Sequence, residues 1–270
     1  MNRGPVVLSV NASWNIVNFR TELIRALQRR GFEVVALAPE DAHSGRLAAM
    51  GVPFHPIRID SQSVSPINDA RLLHAYHSAL RKIRPSLFLG YTIKPNIYGT
   101  LAAQRLRIPT INNVSGLGTA FIRGGLLGQI VTLLYRIAFR HSATVFFQNA
   151  EDLALFRERR IVRSEQARLL PGSGIDLERF RPQARPDGTP FTFLFVGRLL
   201  WDKGIAEYVD AARRLRARHP DIRFQMLGFV DAPNRTAVAR TQVDAWEAEG
   251  LIDYLPPRDD VRSAIAQLRG

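Results

Sequence analysis

The sequence contains no cysteine and only three lysines, Lys82, Lys94 and Lys203. A chain without cysteine cannot form disulfides, thiolate metal sites or a cysteine nucleophile. Long apolar runs are missing too. The run after Pro5 is too short for a signal peptide, and no segment reaches the roughly 20 apolar residues of a membrane-spanning helix. We therefore expect a cytoplasmic protein that is dissolved or bound at a membrane surface.

Acidic residues are scarce relative to basic ones. The chain has 37 Lys and Arg against 24 Asp and Glu, a formal charge of +13. Its 46% hydrophobic and 23% charged residues are typical of a globular protein and exclude a disordered basic tail. The basic residues are spread over many helices without a recognition motif, so the sequence predicts no nucleic-acid partner.

Short β-branched or aromatic runs alternate with longer amphipathic stretches over residues 1–180. This alternation predicts βαβ crossovers onto a parallel sheet, and therefore a Rossmann-like α/β domain. The predicted strands are 6–10, 34–37, 54–57, 87–89, 110–112 and 145–148, and the predicted helices are 18–30, 44–50, 67–84, 96–106 and 126–141.

Residues 181–190 are rich in proline and lack apolar periodicity, which predicts an interdomain linker. The alternation then restarts over 191–270 and predicts a second Rossmann-like unit. Because three parallel strands cover little core, we expect this second domain to be present only in part; a small complete domain is the alternative. Its predicted strands are 191–196, 224–227 and 252–255, and its predicted helices are 205–218, 236–249 and 259–268.

Ligands of open parallel sheets bind where the strands end. After the first predicted strand, residues 11–18 offer Asn15 and Asn18 to a phosphate or to sugar hydroxyls, unless these residues only form caps and turns. The absence of G-x-G-x-x-G there argues against a dinucleotide cofactor. After the fourth predicted strand, Lys94 adds a mobile cation at the start of a helix, where anions are favoured.

Glycine-bearing loops follow two further strands. Ser115, Gly116 and Gly118 follow the fifth, in a loop whose backbone a ligand could approach. Gly197 ends the first strand of the second unit, Arg198 comes next, and Lys203 stands at the mouth of a helix. Two cations on either side of one tight loop suit a diphosphate, although basic residues in such loops are often merely solvated.

Several catalytic classes are excluded by missing motifs. The histidines form no H-x-x-x-H or H-E-x-x-H pair, and no carboxylate follows His74 and His77 in register, so we predict no metal site. The sequence has neither a G-x-S-x-G elbow nor a Walker loop, which excludes α/β-hydrolases and P-loop enzymes.

The remaining motifs resemble those of the family 4 glycosyltransferases, retaining enzymes of the GT-B fold. Residues 197–204 are similar to the G-R-x-x-x-x-K-G segment of this family, and residues 171–182 are similar to its G-x-G-I/V-D…F-x-P stretch. Residues 14–20, 91–99 and 111–121 resemble the bacterial branch that builds lipid-linked oligosaccharides for cell-surface glycans.

The resemblance implies retaining transfer of a hexose or N-acetylhexosamine from a nucleotide sugar, expected to be UDP-linked, to an undecaprenyl-diphosphate glycan. A front-side mechanism, in which the departing phosphate helps to deprotonate the acceptor, requires neither metal nor cofactor. The implied donor diphosphate site is Gly197, Arg198 and Lys203, and the implied acceptor side is Asn15, Asn18, Lys94, Ser115, Gly116 and Gly118.

Two departures from the family pattern limit these expectations. The E-x7-E segment that contacts the donor sugar in the family is absent, and Glu247 and Glu249 are too close together to replace it. We therefore assign no catalytic residue and expect a truncated chain with weak donor binding and with turnover that is slight or nil. Ser115 and Gly116 stand where many members carry a histidine. The nearest enzymatic alternative, a GT-B sugar-nucleotide epimerase, would need acidic and histidine residues in its cleft that we do not find.

The helix predicted at 126–141 has an apolar sector beside Arg136 and Arg140. Such a helix could lie in an anionic membrane interface, on the cytoplasmic face of the inner membrane where a lipid-linked acceptor is found. A non-catalytic membrane-binding protein is the corresponding alternative function. Packing of the apolar sector on the sheet is the simpler interpretation. The sector comprises Leu126, Leu127, Ile130, Leu133, Leu134 and Ile137.

Overall fold

The computed structural model describes residues 4–60, 65–117, 125–182, 190–231, 236–258, 260–266 and 268. The chain divides into two compact units, Met1–Asp176 and Leu177–Gly270. Each unit contains one sheet of parallel strands connected through helices, which confirms the predicted α/β class.

The sheet of the first unit has seven strands in the order β3-β2-β1-β4-β5-β6-β7. The order reverses between β1 and β4, and open parallel sheets bind ligands at such a switch point. The strands are β1 (Val6–Ser9), β2 (Val34–Ala38), β3 (Phe54–Pro56), β4 (Leu87–Tyr91), β5 (Thr110–Val114), β6 (Thr144–Phe147) and β7 (Ala167–Leu169).

Helices cover both faces of this sheet. Along β1, Val7 belongs to one apolar cluster while Val6 and Leu8 belong to another, because successive side chains of a strand point to opposite faces. The α-helices are α1 (Ser13–Phe19), α2 (Thr21–Arg29), α3 (Ser44–Ala49), α4 (Pro66–Ile83), α5 (Thr100–Arg105), α6 (Gly125–Phe139) and α7 (Ala150–Glu158).

The predicted loop over 11–18 and the predicted helix over 18–30 are wrong in one respect. The chain is already helical at Ser13, and it breaks at Arg20, whose backbone lies at φ −123° and ψ 1°. No side chain of the segment itself caps α1; instead the Trp14 N–H donates to the Asp41 carboxylate at 3.0 Å. This long-range contact satisfies an N-terminal donor that the local sequence leaves open.

The helix predicted at 96–106 begins as a π-helical turn, Pro95–Gly99, and continues as α5. In this turn the Thr100 N–H reaches the Pro95 carbonyl, five residues back. The turn lies directly on β4, since a Cβ at Gly99 would overlap the Phe88 ring. Only glycine therefore allows this close approach of helix and strand.

The simpler interpretation of α6 is wrong, because most of its predicted apolar sector does not pack on the sheet. The side that packs carries Tyr135 and Phe139, both buried, with Tyr135 against Phe156 of α7. The exposed residues of the sector are Leu126 (74%), Leu127 (38%), Ile130 (47%), Leu133 (52%) and Ile137 (50%). Even so, none of the helices in the described ranges has the length and apolarity needed to cross a membrane.

The second unit has a three-stranded sheet in the order β10-β9-β8. Its apolar cluster includes Ile205, Phe224 and Trp246, so the sheet and its helices enclose a separate core. The elements are β8 (Thr192–Val196), a 3-10 turn (Trp201–Lys203), α8 (Ile205–Arg216), β9 (Arg223–Leu227), α9 (Arg240–Ala248), β10 (Asp253–Leu255) and α10 (Arg262–Ile265).

Candidate active site

A set of connected polar side chains crosses the carboxyl edge of the seven-stranded sheet. Gln148, after β6, donates to the Asn113 side chain at 3.5 Å and to the Ser173 hydroxyl at 3.4 Å. The same hydroxyl accepts a 2.7 Å hydrogen bond from Nη1 of Arg20, at the break between α1 and α2. Elements far apart in sequence therefore meet at the edge where a ligand of this fold would bind.

Arg20 is the unusual member of this network. Its side chain is 6% exposed, and its guanidinium carbon lies 4.2 Å from the centre of the Tyr91 ring. Burial lowers the pKa of Arg20 and raises the pKa of Tyr91, while their proximity counteracts part of each shift. Buried Nε of Arg20 has no hydrogen-bond acceptor. The guanidinium thus lies in the protein with neutral partners only among the described residues.

Sequence reasoning did not select Arg20, although a signal was present. Arg20 stands four residues after Ile16 and four before Ile24, and both isoleucines are fully buried. This spacing places Arg20 on the same side of the helical segment as the two buried isoleucines. Charged residues of an amphipathic helix ordinarily lie on the opposite, solvent-facing side. Ser173 and Asn113 lie within segments that resemble the family motifs, but only the fold brings these two residues together with Gln148.

The two predicted asparagines lie on α1 rather than in a loop. Asn18 donates through Nδ2 to the Trp14 carbonyl of its own helix at 2.8 Å. Asn15 is half-buried, and its Oδ1 is buried with no donor among the described residues. Neither asparagine therefore presents a free side-chain oxygen to a ligand, since the Asn18 amide has a local partner and the Asn15 oxygen is covered.

Lys94 is held in place instead of being a mobile cation. Its ammonium forms a 2.7 Å ion pair with Asp69 of α4, and the two side chains are only 11% and 18% exposed. The other carboxylate oxygen of Asp69 accepts from the Tyr98 hydroxyl at 2.7 Å, and burial together with this carboxylate raises the pKa of Tyr98. The charge of Lys94 is thus balanced by the fold.

The loop after β5 is open to solvent. Ser115 is exposed and donates to the Asn113 side chain at 3.1 Å, which joins it to the polar network. Gly116 has a φ of +149° and free space where a side chain would lie, so a ligand could approach its backbone. Gly118 lies outside the described residues.

In the second unit, the segment from Gly197 to Gly204 forms a tight turn between β8 and α8. A Cβ at Gly228, which follows β9, would overlap the Gly197 carbonyl oxygen. The backbones of the two strand ends therefore touch, and only glycine fits at 228. Gly204 has a φ of +79° and leads into α8.

Arg198 and Lys203 lie on this turn with exposed side chains. Neither forms a side-chain hydrogen bond or an ion pair with any residue within the described ranges. The neighbouring Asp202 instead accepts from the Thr236 hydroxyl at 2.9 Å. Two unpaired cations thus stand beside the N-terminus of a helix, an arrangement that attracts anions.

Comparison with solved structures places this fold among the GT-B glycosyltransferases. Anabaena HepE, solved with UDP-glucose, superimposes with a TM-score of 0.72 at 14% identity, over 98% of this chain and 72% of HepE. A glycosyltransferase from Rickettsia africae gives 0.71 at 14% identity, over 99% and 72% of the two chains. A UDP-N-acetylglucosamine 2-epimerase gives 0.65 at 14% identity, covering 98% and 71%, so the fold alone does not separate transferase from epimerase.

The sequence comparisons do separate these classes. Residues 16–173 match the glycosyl transferase 4-like domain, and the chain belongs to this family. A Campylobacter jejuni relative is 24% identical over 93% of this chain and 69% of its own length. That relative is named N,N'-diacetylbacillosaminyl-diphospho-undecaprenol alpha-1,3-N-acetylgalactosaminyltransferase. The predicted family and the predicted glycosyltransferase class are confirmed.

Proposed function

We propose that the protein transfers a hexose or N-acetylhexosamine from a UDP-sugar to an undecaprenyl-diphosphate glycan, with retention at the anomeric carbon. The observation that carries this proposal is the turn at 197–204, where Arg198 and Lys203 are exposed beside the N-terminus of α8 and pair with none of the described residues. The negative charge of a nucleotide diphosphate would balance these two cations.

The two cations would act on the leaving group. As the bond between the sugar C1 and the diphosphate breaks, negative charge grows on the departing oxygen. Fixed positive groups stabilise this charge more in the transition state than in the ground state. The acceptor hydroxyl oxygen bonds to C1 on the same face, and its proton passes to the departing phosphate oxygen. This route needs no carboxylate nucleophile and no metal.

The acceptor chemistry is supported by the Campylobacter relative, whose name specifies an undecaprenol-linked diphosphate sugar. In this chain, the polar edge of the first unit offers the groups that a glycan would use. Ser115 is exposed, and the backbone of the neighbouring Gly116 has open space beside it. Hydroxyls of a sugar can both donate to and accept from such groups.

Calorimetry with UDP tests the donor site. Arg198→Ala and Lys203→Ala should each weaken UDP binding by roughly 10-fold to 100-fold, which corresponds to the loss of one charge-assisted hydrogen bond. Arg218→Ala is the matched control, since Arg218 is an exposed arginine of the same unit beyond the other end of α8. Equal UDP affinity in all three variants would remove the diphosphate assignment.

A transfer assay tests the reaction itself. The protein is incubated with labelled UDP-sugars and a short polyprenyl-diphosphate N-acetylhexosamine, and the label in the lipid-linked product is counted. Label in that product would support the proposal if NMR shows that the transferred sugar keeps the anomeric configuration it had in the donor. Transfer with the opposite configuration would refute retention, and interconversion of the free UDP-sugars without transfer would favour the epimerase alternative.

We also infer that α6 contacts an anionic membrane surface. The exposed apolar face of α6 is defined by Leu126, Leu127, Ile130, Leu133 and Ile137. Arg136 and Arg140 flank it, and an open groove of about 500 Å³ beside it is lined by Arg136 and Arg159. Apolar side chains next to arginines match a bilayer with anionic headgroups, and the chain's net charge of +13 favours the same partner.

Sedimentation with liposomes tests this surface. Replacing both Ile130 and Leu133 by serine should reduce binding to anionic vesicles by at least about 10-fold, because two partly buried apolar side chains are lost from the interface. Ile67→Ser is the control, since Ile67 is 66% exposed but lies on α4. Binding should also fall at high salt. Equal pelleting of both variants would contradict the assignment.

A further inference from the structure

Arg20 combines deep burial with an uncompensated charge. It is 6% exposed, and no carboxylate among the described residues pairs with it. An arginine side chain stays protonated in proteins, so this position holds a buried positive charge. Burying an ion without a counter-ion is costly, and proteins rarely keep such an arrangement without a functional reason.

The hydrogen bonds of Arg20 leave part of its donor set unused. All of its bonds to described residues come from Nη1, which reaches the Ser173 hydroxyl at 2.7 Å and the Phe19 carbonyl at 3.4 Å. Nε is buried and has no acceptor. The planar fork of a guanidinium matches two oxygens of a phosphate, and this fork has the capacity to take them.

The surroundings of Arg20 fit the same ligand. The Ser173 hydroxyl accepts from Arg20 and from Gln148, so its own proton remains available to a ligand. Gly172 and Gly174 flank this serine with φ values of +80° and +76°, and no atom lies within 4 Å of the point where a Cβ would stand on either glycine, so the loop backbone is open on both sides. The site lies at the carboxyl edge of the sheet, where ligands of this fold bind.

We propose that Arg20 and Ser173 form a phosphate-binding site in the first unit. The anion would be a phosphate of a diphosphate ester. Two sources carry this chemistry, the lipid-linked acceptor and the nucleotide donor, and the choice of the acceptor rests on the proposed function. Binding of the anion would balance the buried charge of Arg20.

The test compares Arg20→Gln with Arg25→Gln, since Arg25 is an exposed arginine of α2 that forms a surface ion pair with Glu22. Affinities for inorganic pyrophosphate, geranyl diphosphate and UDP are measured by calorimetry. We expect Arg20→Gln to lose on the order of 10-fold to 100-fold in pyrophosphate affinity, and Arg25→Gln to match the unaltered protein. Arg20→Lys should recover only part of the loss, because it keeps the charge but not the fork.

The comparison of geranyl diphosphate with UDP distinguishes the two sources of the phosphate. Loss of geranyl diphosphate binding with unchanged UDP affinity would identify the acceptor, and loss of UDP binding would identify the donor. If Arg20→Gln does not fold, Ser173→Ala decides, with an expected several-fold loss from removal of a neutral hydrogen bond. Unchanged affinity for all three ligands would overturn the proposal.

Stability provides a second, independent readout. Without anions, a folded Arg20→Gln protein should melt at the same or a higher temperature than the unaltered protein, because an unpaired buried charge is removed. A lower melting temperature with unchanged affinities would show a purely structural role. A protein that binds pyrophosphate through Arg20 but interconverts free UDP-sugars without transfer would refute the proposed function and leave this site intact.

Discussion

The first unit buries eleven polar or charged residues, whereas every buried side chain that the structure describes in the second unit is apolar. In the first unit many of these groups bond to one another, whereas Nε of Arg20 and Oε1 of Gln166 have no partner among the described residues. The Asn112 amide donates to Asn96 at 3.0 Å and to Thr100 at 2.7 Å, and Ser142 donates to it at 2.8 Å. In the second unit the candidate site residues, Arg198 and Lys203, are exposed.

This difference indicates two ways of preparing a site. The first unit fixes polar groups by burial, so their positions are set before a ligand arrives. The second unit keeps its cations solvated and relies on a close backbone turn, at Gly197 and Gly228, to place them. Substitutions in the second unit should therefore affect stability through backbone fit, and those in the first unit through charge and hydrogen bonding.

The largest expected effect is at Gly228. Gly228→Ala would place a methyl group on the Gly197 carbonyl oxygen, and since that neighbour is backbone it cannot rotate away. We expect a loss of about 3–5 kcal/mol in the free energy of unfolding of the second unit. Urea denaturation followed by fluorescence measures it.

The control for this prediction lies in the first unit. Gly45 stands in the exposed helix α3 with nothing within 4 Å of an added Cβ. Gly45→Ala should be neutral or stabilising by up to about 1 kcal/mol, because alanine is the better helix former. Comparable losses in the two variants would mean that the contact between Gly197 and Gly228 does not decide stability.

A smaller effect is expected at the buried ion pair of the first unit. Asp69→Asn leaves the Lys94 ammonium, which is 11% exposed, without its counter-ion. We expect a loss of about 2 kcal/mol in the free energy of unfolding, since an unpaired charge is left partly buried. The counterpart in the second unit is Glu249→Gln, where the pair with Arg213 is 49–53% exposed and the loss should be about 0.5 kcal/mol or less. Equal losses would contradict the contrast.

The smallest effect is confined to alkaline pH. Burial raises the pKa of Tyr76 and Tyr135 in the first unit and of Tyr208 in the second. The unfolded chain ionises its tyrosines near pH 10, so the contribution of these buried tyrosines to stability is constant below that pH and falls above it. Tyr76→Phe should reduce this fall by about 1.4 kcal/mol per pH unit, measured as urea midpoints against pH. An unchanged slope would show that Tyr76 does not contribute.

Much of the fold followed from local patterns. The predicted strands and helices of both units are present, and their bounds shift by only a few residues in most cases. The exception at α1 has a physical cause, since its first turn is satisfied by Asp41 from another segment. Strand β7 was not predicted because Ala167–Leu169 is three residues long and includes an arginine. The prediction that the apolar sector of α6 packs on the sheet was wrong, because periodicity identifies the apolar side of a helix but not what covers that side.

The candidate site was less predictable than the fold. Arg198 and Lys203 could be selected from the sequence because both cations lie within one short turn, and their role at a diphosphate stays a prediction. The polar network of Arg20, Asn113, Gln148 and Ser173 needed the fold, since its members are up to 153 residues apart in sequence. Lys94 shows the opposite error: its helix position was clear, but the Asp69 partner that balances its charge comes from α4.

The π-helical turn at Pro95–Gly99 makes the first unit sensitive to the length of the chain at this point. It holds one residue more than an α-helical turn would need, and an α-helix rotates by about 100° per residue. Lys94 precedes the turn and faces Asp69, while Thr100 follows it and faces Asn112. A deletion of one residue between them would rotate one contact away from its partner while the other stayed in place. The extra residue of this turn therefore sets the rotation of the Lys94 ion pair relative to the hydrogen-bond network of Asn112.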